Sequence, residues 1–337
     1  MTRLLVVGPS WVGDMVLAQS LFIALQKQDP ALRIDVLAPA WTHPLLARMP
    51  EVQKALIMPL GHGRLALGQR YQIGRELRSK AYDRAIVLPN SFKSALIPFW
   101  ANIKKRTGYK GELRWGLLND VRHLDKQRLR MTVQRFVALA DPSDRKTIPE
   151  TPLPQLSVEP LSVQRSLQAL RMEQPEIRVL GLCPGAEYGP AKCWPIKYYA
   201  EVAKQMRAKG WVVWIFGSEK DKAAADEICH TADEGIHNLA GQTSLGQAID
   251  LLSLCNVVIS NDSGLMHVAA ALNRPLVAIY GSSDPGFTPP MHDQAKIVQQ
   301  PMDCQPCFKR TCPLEHTQCL TTISPQRVMA EVAALYP

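Results

Sequence analysis

The sequence predicts an α/β protein built of two doubly wound parallel-sheet domains. Three observations predict it. The chain has 337 residues, two domains at about 100–200 residues each. Short continuous apolar runs, as in strands buried on both faces, alternate with segments whose apolar residues recur at helical spacing. The alternation then restarts after a proline-rich interval, Asp141 to Pro160, which reads as a linker.

Leu4-Leu5-Val6-Val7 is the first predicted strand. Gly8 to Asp14 breaks it, and Met15–Gln28 carries Leu17, Leu21 and Leu25 at helical spacing. Ile34–Leu37 and Ala55–Met58 read as strands, with a helix near Gly68–Lys80 after them. Ala85–Leu88 is the next strand, then a helix near Ser91–Ala101 and a longer helical pattern over Lys126–Ala140. The expected boundaries are an N-terminal domain over 1–150, a linker region over 151–176 and a second domain over 177–337. In that domain Val179–Leu182, Trp211–Phe216, Val257–Ile259 and Leu276–Tyr280 read as strands. Helices are expected at Pro195–Lys209, with Gly210 as C-cap, near Asp221–Thr231, at Leu245–Leu254 and at Gly264–Leu272. The last, at Pro325–Leu335, could pack back on the first domain.

Apolar residues make up 46% and charged residues 20%, which excludes wholesale disorder. The net charge of +9 is unevenly spread. Residues 1–150 hold 24 basic and 12 acidic side chains, a net of +12. Residues 151–337 hold 15 and 18, a net of −3. The first half should therefore meet something anionic. No run approaches the ~18 apolar residues of a spanning helix, and Asp14 interrupts the opening apolar stretch, so no secretory signal is expected. A cytoplasmic protein is the default. Eight cysteines are too few for a disulfide scaffold.

In doubly wound folds ligands sit at the carboxyl ends of the strands, so four loops carry the interest. Gly8–Met15 lacks the dinucleotide fingerprint; Asp14 there is either a helix cap or a general base held at a cleft, with Trp11 as a flat wall. Cys183–Pro195 contains Gly185, Ala186, Lys192 and Trp194; it is either a surface connection or a phosphate cradle to which Lys192 adds a charge. In Phe216–Asp221, with Gly217 and Ser218, Asp221 is the better helix cap, and Glu219 could accept from a ribose or an adenine. Ser260–Leu272 places Asp262, Ser263 and Gly264 before a helix whose amides suit a diphosphate, with His267 one turn in. Asp-x-Asp is absent from the chain, which favours leaving-group stabilisation by helix N-termini and basic side chains. The basic surface, with Lys93, Arg106, Arg114 and Arg122, follows Pro89–Lys93 and carries no nucleic-acid motif.

Seven stretches together resemble the lipopolysaccharide heptosyltransferases, of the heptosyltransferase II type. They are Gly8–Asp14, Pro89–Ser94, Arg106–Tyr109, Leu117–Asp120, Cys183–Ala186, Gly189–Pro195 and Asn261–Leu272. The resemblance runs from residue 1 to about 300. It implies the GT-B arrangement of two Rossmann-like domains facing a central cleft, the first binding acceptor and the second donor. It implies inverting, metal-independent transfer of L-glycero-D-manno-heptose from ADP-heptose to the heptose-I/Kdo inner core. By motif, Asp14 would be the general base. Gly185, Ala186, Lys192, Trp194, Gly217, Ser218 and Glu219 would bind donor, with Asp262, Ser263, Gly264 and His267 at its sugar and diphosphate. Trp11, Asn90, Lys93, Arg106, Arg114 and Asn119 would face the acceptor. No cofactor is required, no nucleic acid is implied, and the enzyme would work at the cytoplasmic face of the inner membrane, peripheral to the inner-leaflet surface.

The tail adds Cys304-x2-Cys307-x4-Cys312-x6-Cys319. These four could hold a structural Zn²⁺, form local disulfides or stay free. Rival readings are a GT-B enzyme with another nucleotide-sugar donor, a heptosyltransferase of type I or III specificity, and a non-catalytic binder using its basic half.

Overall fold

The computed structural model describes residues 2–61, 63–142, 146–232 and 235–336. Residues 143–145 of the expected linker lie outside that set. The chain divides into two compact units, Met1–Pro154 and Gln155–Pro337.

The first unit runs β1 (Arg3–Val7), α1 (Val12–Gln28), β2 (Arg33–Ala38), α2 (His43–Leu46), β3 (Val52–Ile57), α3 (Leu67–Arg78), β4 (Arg84–Val87), α4 (Phe92–Trp100), β5 (Lys105–Tyr109), β6 (Asp120–Arg122) and α5 (Thr132–Val137). Its sheet has the order β3-β2-β1-β4-β5-β6. All pairings are parallel, with Leu5 opposite Asp35 and Ala85. Leu4, Leu5, Val6 and Val7 are buried because β1 is central and covered on both faces.

The second unit runs α6 (Pro160–Ala169), β7 (Val179–Cys183), α7 (Ile196–Ala208), β8 (Val212–Ile215), α8 (Lys222–Ala232), β9 (Ile236–Asn238), α9 (Leu245–Leu252), β10 (Val257–Asn261), α10 (Gly264–Ala271), β11 (Leu276–Tyr280), β12 (Ala295–Gln299), α11 (Gln318–Thr321) and α12 (Pro325–Leu335). Its order, β12-β11-β10-β7-β8-β9, is the same topology read from the other edge, and its pairings are parallel too. β7, β10 and β11 are buried along their whole length. α7 turns Tyr199, Val202, Ala203 and Met206 into the core at the spacing of one helical stripe. It ends where Gly210 takes φ +81°, and Gly210 and Trp211 donate to the carbonyls of Arg207 and Met206, a C-terminal Schellman closure. No described helix is long and apolar enough to cross a membrane.

Two expectations are corrected. The stretch 155–176 is not an open linker: α6 belongs to the second unit, where Ser162 and Ser166 donate to the buried Asp250 carboxylate of α9 at 2.6 and 2.8 Å. α12 buries Val328, Met329 and Val332 in the second unit's own core cluster. The helix expected over 126–140 forms only at Thr132–Val137. Before it, Asp125 Oδ1 accepts from the amides of Gln127 and Arg128, a local turn that competes with helix.

Candidate active site

Both sheets reverse their strand order beside the first strand of each unit, between β1 and β4 and between β7 and β10. That is where doubly wound folds open a crevice at the strand carboxyl ends. Each unit carries a cluster of polar groups there.

In the first unit a pocket of about 450 Å³ is lined by Gly8, Trp11 and Asp14 after β1, Asn90 and Lys93 after β4, and Arg70 of α3. Trp11, extended at φ −83°, ψ 138°, starts α1, and Asp14 lies in the first turn. The carboxylate is therefore not the N-cap, and the helix dipole favours its charge at this position. Ser94 holds the opposite wall, donating to the carbonyls of Pro89 and Ser91 at 3.0 and 2.6 Å. Arg70 is buried, and its guanidinium donates to the carbonyls of Leu65 (2.7 Å), Lys93 (3.2 Å) and Arg64 (3.3 Å). Burial pulls its pKa down, yet carbonyls leave a guanidinium charge unneutralised.

In the second unit the centre is a buried ion pair. Asp262 Oδ2 accepts from Lys192 Nζ and from Ser283 Oγ, both at 2.5 Å. Asn261 ties the loops beneath it: its amide donates to Pro184 O (2.5 Å), and its Oδ1 accepts from Trp194 N and Tyr199 Oη, both at 3.0 Å. The Tyr188 ring has Lys192 Nζ 5.1 Å and the Arg310 guanidinium 5.3 Å from its centroid, which gathers two cations at one ring. Ser263 is the N-cap of α10, and its side chain makes no capping bond, so the first-turn amides face the strand ends unfilled. His267 is buried one turn in, with Nδ1 unpartnered. Burial lowers its pKa to about 4, against a rise from Asp262 and with a further lowering from Lys192; it is neutral at pH 7.

The profile of "Glycosyltransferase family 9 (heptosyltransferase)" matches residues 70–318. The chain belongs to this family. It is 50% identical over 344 residues to lipopolysaccharide heptosyltransferase 2 of Escherichia coli K12, covering 99% of this chain and 98% of that protein. It is likewise 50% identical to lipooligosaccharide heptosyltransferase 2 of Haemophilus influenzae, covering 88% of each. The solved structure of E. coli ADP-heptose LPS heptosyltransferase II superimposes with a TM-score of 0.88 at 46% identity, covering 99% and 98% of the two chains.

For a family 9 glycosyltransferase, the sequence-predicted residues divide clearly. Trp11, Asp14, Asn90 and Lys93 meet in one pocket. Arg114 does not face it as a ligand group: it is buried and braces the Pro89–Asn90 loop, donating to Pro89 O (2.8 Å), to Asn90 Oδ1 (3.3 Å) and to Tyr109 O. Arg106 and Asn119 sit at the opposite, amino-terminal end of β5. There Arg106 donates to Ile103 and Leu117 carbonyls, and Asn119 bonds the main chain of Arg106 and Lys104. In the second unit Lys192, Asp262 and His267 come together beside Ser263 and Gly264, whereas Trp194 packs away from them. It is 0% exposed in the core, its Nε1 donating to Ile323 O at 2.9 Å. Gly185 and Gly217 hug the Asp221 side chain: a Cβ added at Gly185 would fall 2.4 Å from its carboxyl, and one added at Gly217 would fall 2.7 Å from its Cβ. Asp221 is the expected cap, accepting from Ser218 N and Oγ at 2.8 and 2.7 Å. Glu219 stands exposed beside it, and Ala186 lies in the loop after β7.

The zinc expectation is also corrected. Among the described residues no three His, Cys, Asp or Glu side chains are placed to hold a metal ion. Cys319 is buried on α11, and the Cys312 sulfur is engaged by main-chain amides, that of Thr317 foremost, which draw its pKa down. The segment straps the loops after β7 and β11. Phe308 N donates to Ser282 O (2.8 Å), Ala191 N to Arg310 O (3.0 Å), and Gln305 Nε2 to Gly281 O. Sequence reasoning missed Arg70, Ser283 and Arg310. For Arg70 there is one weak signal: a cation in the first turn of a helix opposes the dipole.

Proposed function

We propose that this chain performs the heptosyltransferase II reaction, moving L-glycero-D-manno-heptose from ADP-heptose to the heptose-I/Kdo inner core of lipopolysaccharide. The observation that carries the reading is 50% identity over 99% of the chain to a protein of that name. An inverting displacement needs two things: a base for the acceptor hydroxyl and a sink for the charge of the departing diphosphate. Asp14 is the base. It takes the hydroxyl proton as the acceptor oxygen bonds the anomeric carbon and the bond to ADP breaks. Trp11, Asn90, Lys93 and Arg70 hold the acceptor, and the last two match its phosphates. The α10 amides and Lys192 take up the charge on ADP, and Asp262 orients Lys192 and the donor sugar. The absence of Asp-x-Asp from the sequence supports transfer without a metal. The acceptor is lipid-anchored, so the enzyme works peripherally at the cytoplasmic face of the inner membrane, with no nucleic-acid partner.

The test is transfer from ADP-heptose to three core acceptors, ending in Kdo, in the first heptose or in the second, with products read by mass. One heptose added to the second acceptor alone is the expected result. Product on the first or third reassigns the chain to type I or III specificity. Protection from heat unfolding by UDP rather than ADP would indicate another donor.

A further inference from the structure

The flanks of α4 expose apolar groups that neither the fold nor the pocket uses. Leu113 and Trp115 are 72% and 71% exposed, the two most exposed large apolar side chains described in the first unit. They are not on a slack loop. The intervening Arg114 is buried and anchored to Pro89 and Asn90, and Glu112 Oε2 accepts from Phe92 N at 2.7 Å. The loop therefore holds Leu113 and Trp115 out in water by construction. On the other flank Leu65, Leu67 and Tyr71 are exposed, and Arg70 joins that flank to α4 by donating to both Leu65 O and Lys93 O. Lys110, just after β5 and three residues before Leu113, stands exposed. Arg70 and Lys93 also wall the Asp14 pocket, so the apolar patch borders its mouth.

We infer that this face of the first unit seats on an anionic lipid bilayer, with Trp115 and Leu113 entering the headgroup boundary. Large apolar side chains near an exposed lysine, in a unit of net +12, match a negatively charged lipid surface on both counts. Trp prefers that interfacial depth. The inference rests on the proposed lipid-anchored acceptor: a protein seated this way presents the pocket mouth to sugars standing up from the bilayer.

The experiment is co-sedimentation of the full chain with vesicles of phosphatidylcholine alone or mixed with phosphatidylglycerol, at low and high salt, without donor or acceptor. The wild type should bind the mixed vesicles, and high salt should weaken that binding. Leu113→Ser/Trp115→Ser should bind at least about tenfold more weakly, and Lys110→Gln should weaken the preference for anionic lipid. Transfer to a deacylated, water-soluble acceptor should be unchanged in both variants, which also verifies that they fold. Equal vesicle binding by wild type and the Leu113/Trp115 variant overturns the inference. So does a dimer, or an RNA complex, that depends on Trp115 in place of vesicle binding. Because vesicle binding is read without substrates, a chain that binds through Trp115 yet transfers no heptose fails the proposed function and not this surface.

Discussion

Asp14 shows how little a residue type says without its position. As an N-cap it would be spent on helix amides; at the first turn of α1 it lines the pocket instead. Asp14→Asn keeps shape and removes basicity, so transfer should fall by about 10²–10⁴-fold or more. ADP affinity should hold, because the groups proposed to bind the donor belong to the second unit. Turnover within a few-fold of wild type would reject Asp14 as base. Lys192 and Asp262 make the opposite case, since each is buried against the other, at 16% and 4% side-chain exposure. Lys192→Met strands a buried carboxylate and should cost about 3–5 kcal/mol in urea unfolding. Adding Asp262→Asn should recover part of that; additive losses would show that the two are not coupled. His267 sets a pH dependence. Unfolded, it titrates near 6.5; folded, burial lowers it to about 4. Between these values the unfolded chain binds a proton that the folded chain does not. Stability therefore falls as pH drops through that window, by about 3 kcal/mol in all. His267→Gln should flatten the unfolding midpoint between pH 6.5 and 4, and an unchanged slope would place the dependence elsewhere.

At the scale of elements, legibility followed burial. β7, β10 and β11 are covered on both faces and read directly from apolar runs. β5, β6, β9 and β12 did not, because strands toward a sheet edge expose one face: Lys105-Arg106-Thr107-Gly108-Tyr109 reads as a basic loop, and Ile236-His237-Asn238 offers one large apolar group. The strand-end loops were legible, since glycines and small polar residues break the runs. Which side chains in them face a ligand was not. Trp194 and Arg114 look functional by type, and only tertiary packing shows them to be buried braces. Ser283 and Arg310 lie far along the chain from Lys192 and could not be placed beside it. Two element-level changes follow. Asp250→Ala removes the acceptor that two serines of α6 share, and should cost about 1–3 kcal/mol. Gly185→Ala pushes a Cβ to within 2.4 Å of the Asp221 carboxyl; the cap on Ser218 must open, at about 0.5–2 kcal/mol. A thermal midpoint unmoved by either substitution would remove that element's proposed tie.

At the scale of the molecule, the charge asymmetry coincides with the architecture. No charged residue lies in 151–154, so the unit Met1–Pro154 carries the whole +12 and Gln155–Pro337 the −3. Both units share one topology, and each places its polar cluster at the same switch point. Charge, not fold, then separates their tasks. On the proposed reading the second unit meets an anion through amides and a lysine that is 84% covered, whereas the first offers many exposed cations. Salt acts differently on these two arrangements. Raising ionic strength from about 0.01 M to about 1 M shrinks the screening length from about 30 Å to about 3 Å, and it weakens exposed charges far more than buried ones. Transfer to a phosphorylated core acceptor should therefore lose about tenfold or more in kcat/KM across that range. ADP affinity, measured by calorimetry in the same buffers, should move less than about threefold, because Lys192, proposed to meet it, is largely covered. Equal salt sensitivity in both measurements would mean that the basic first unit does not serve to gather the acceptor.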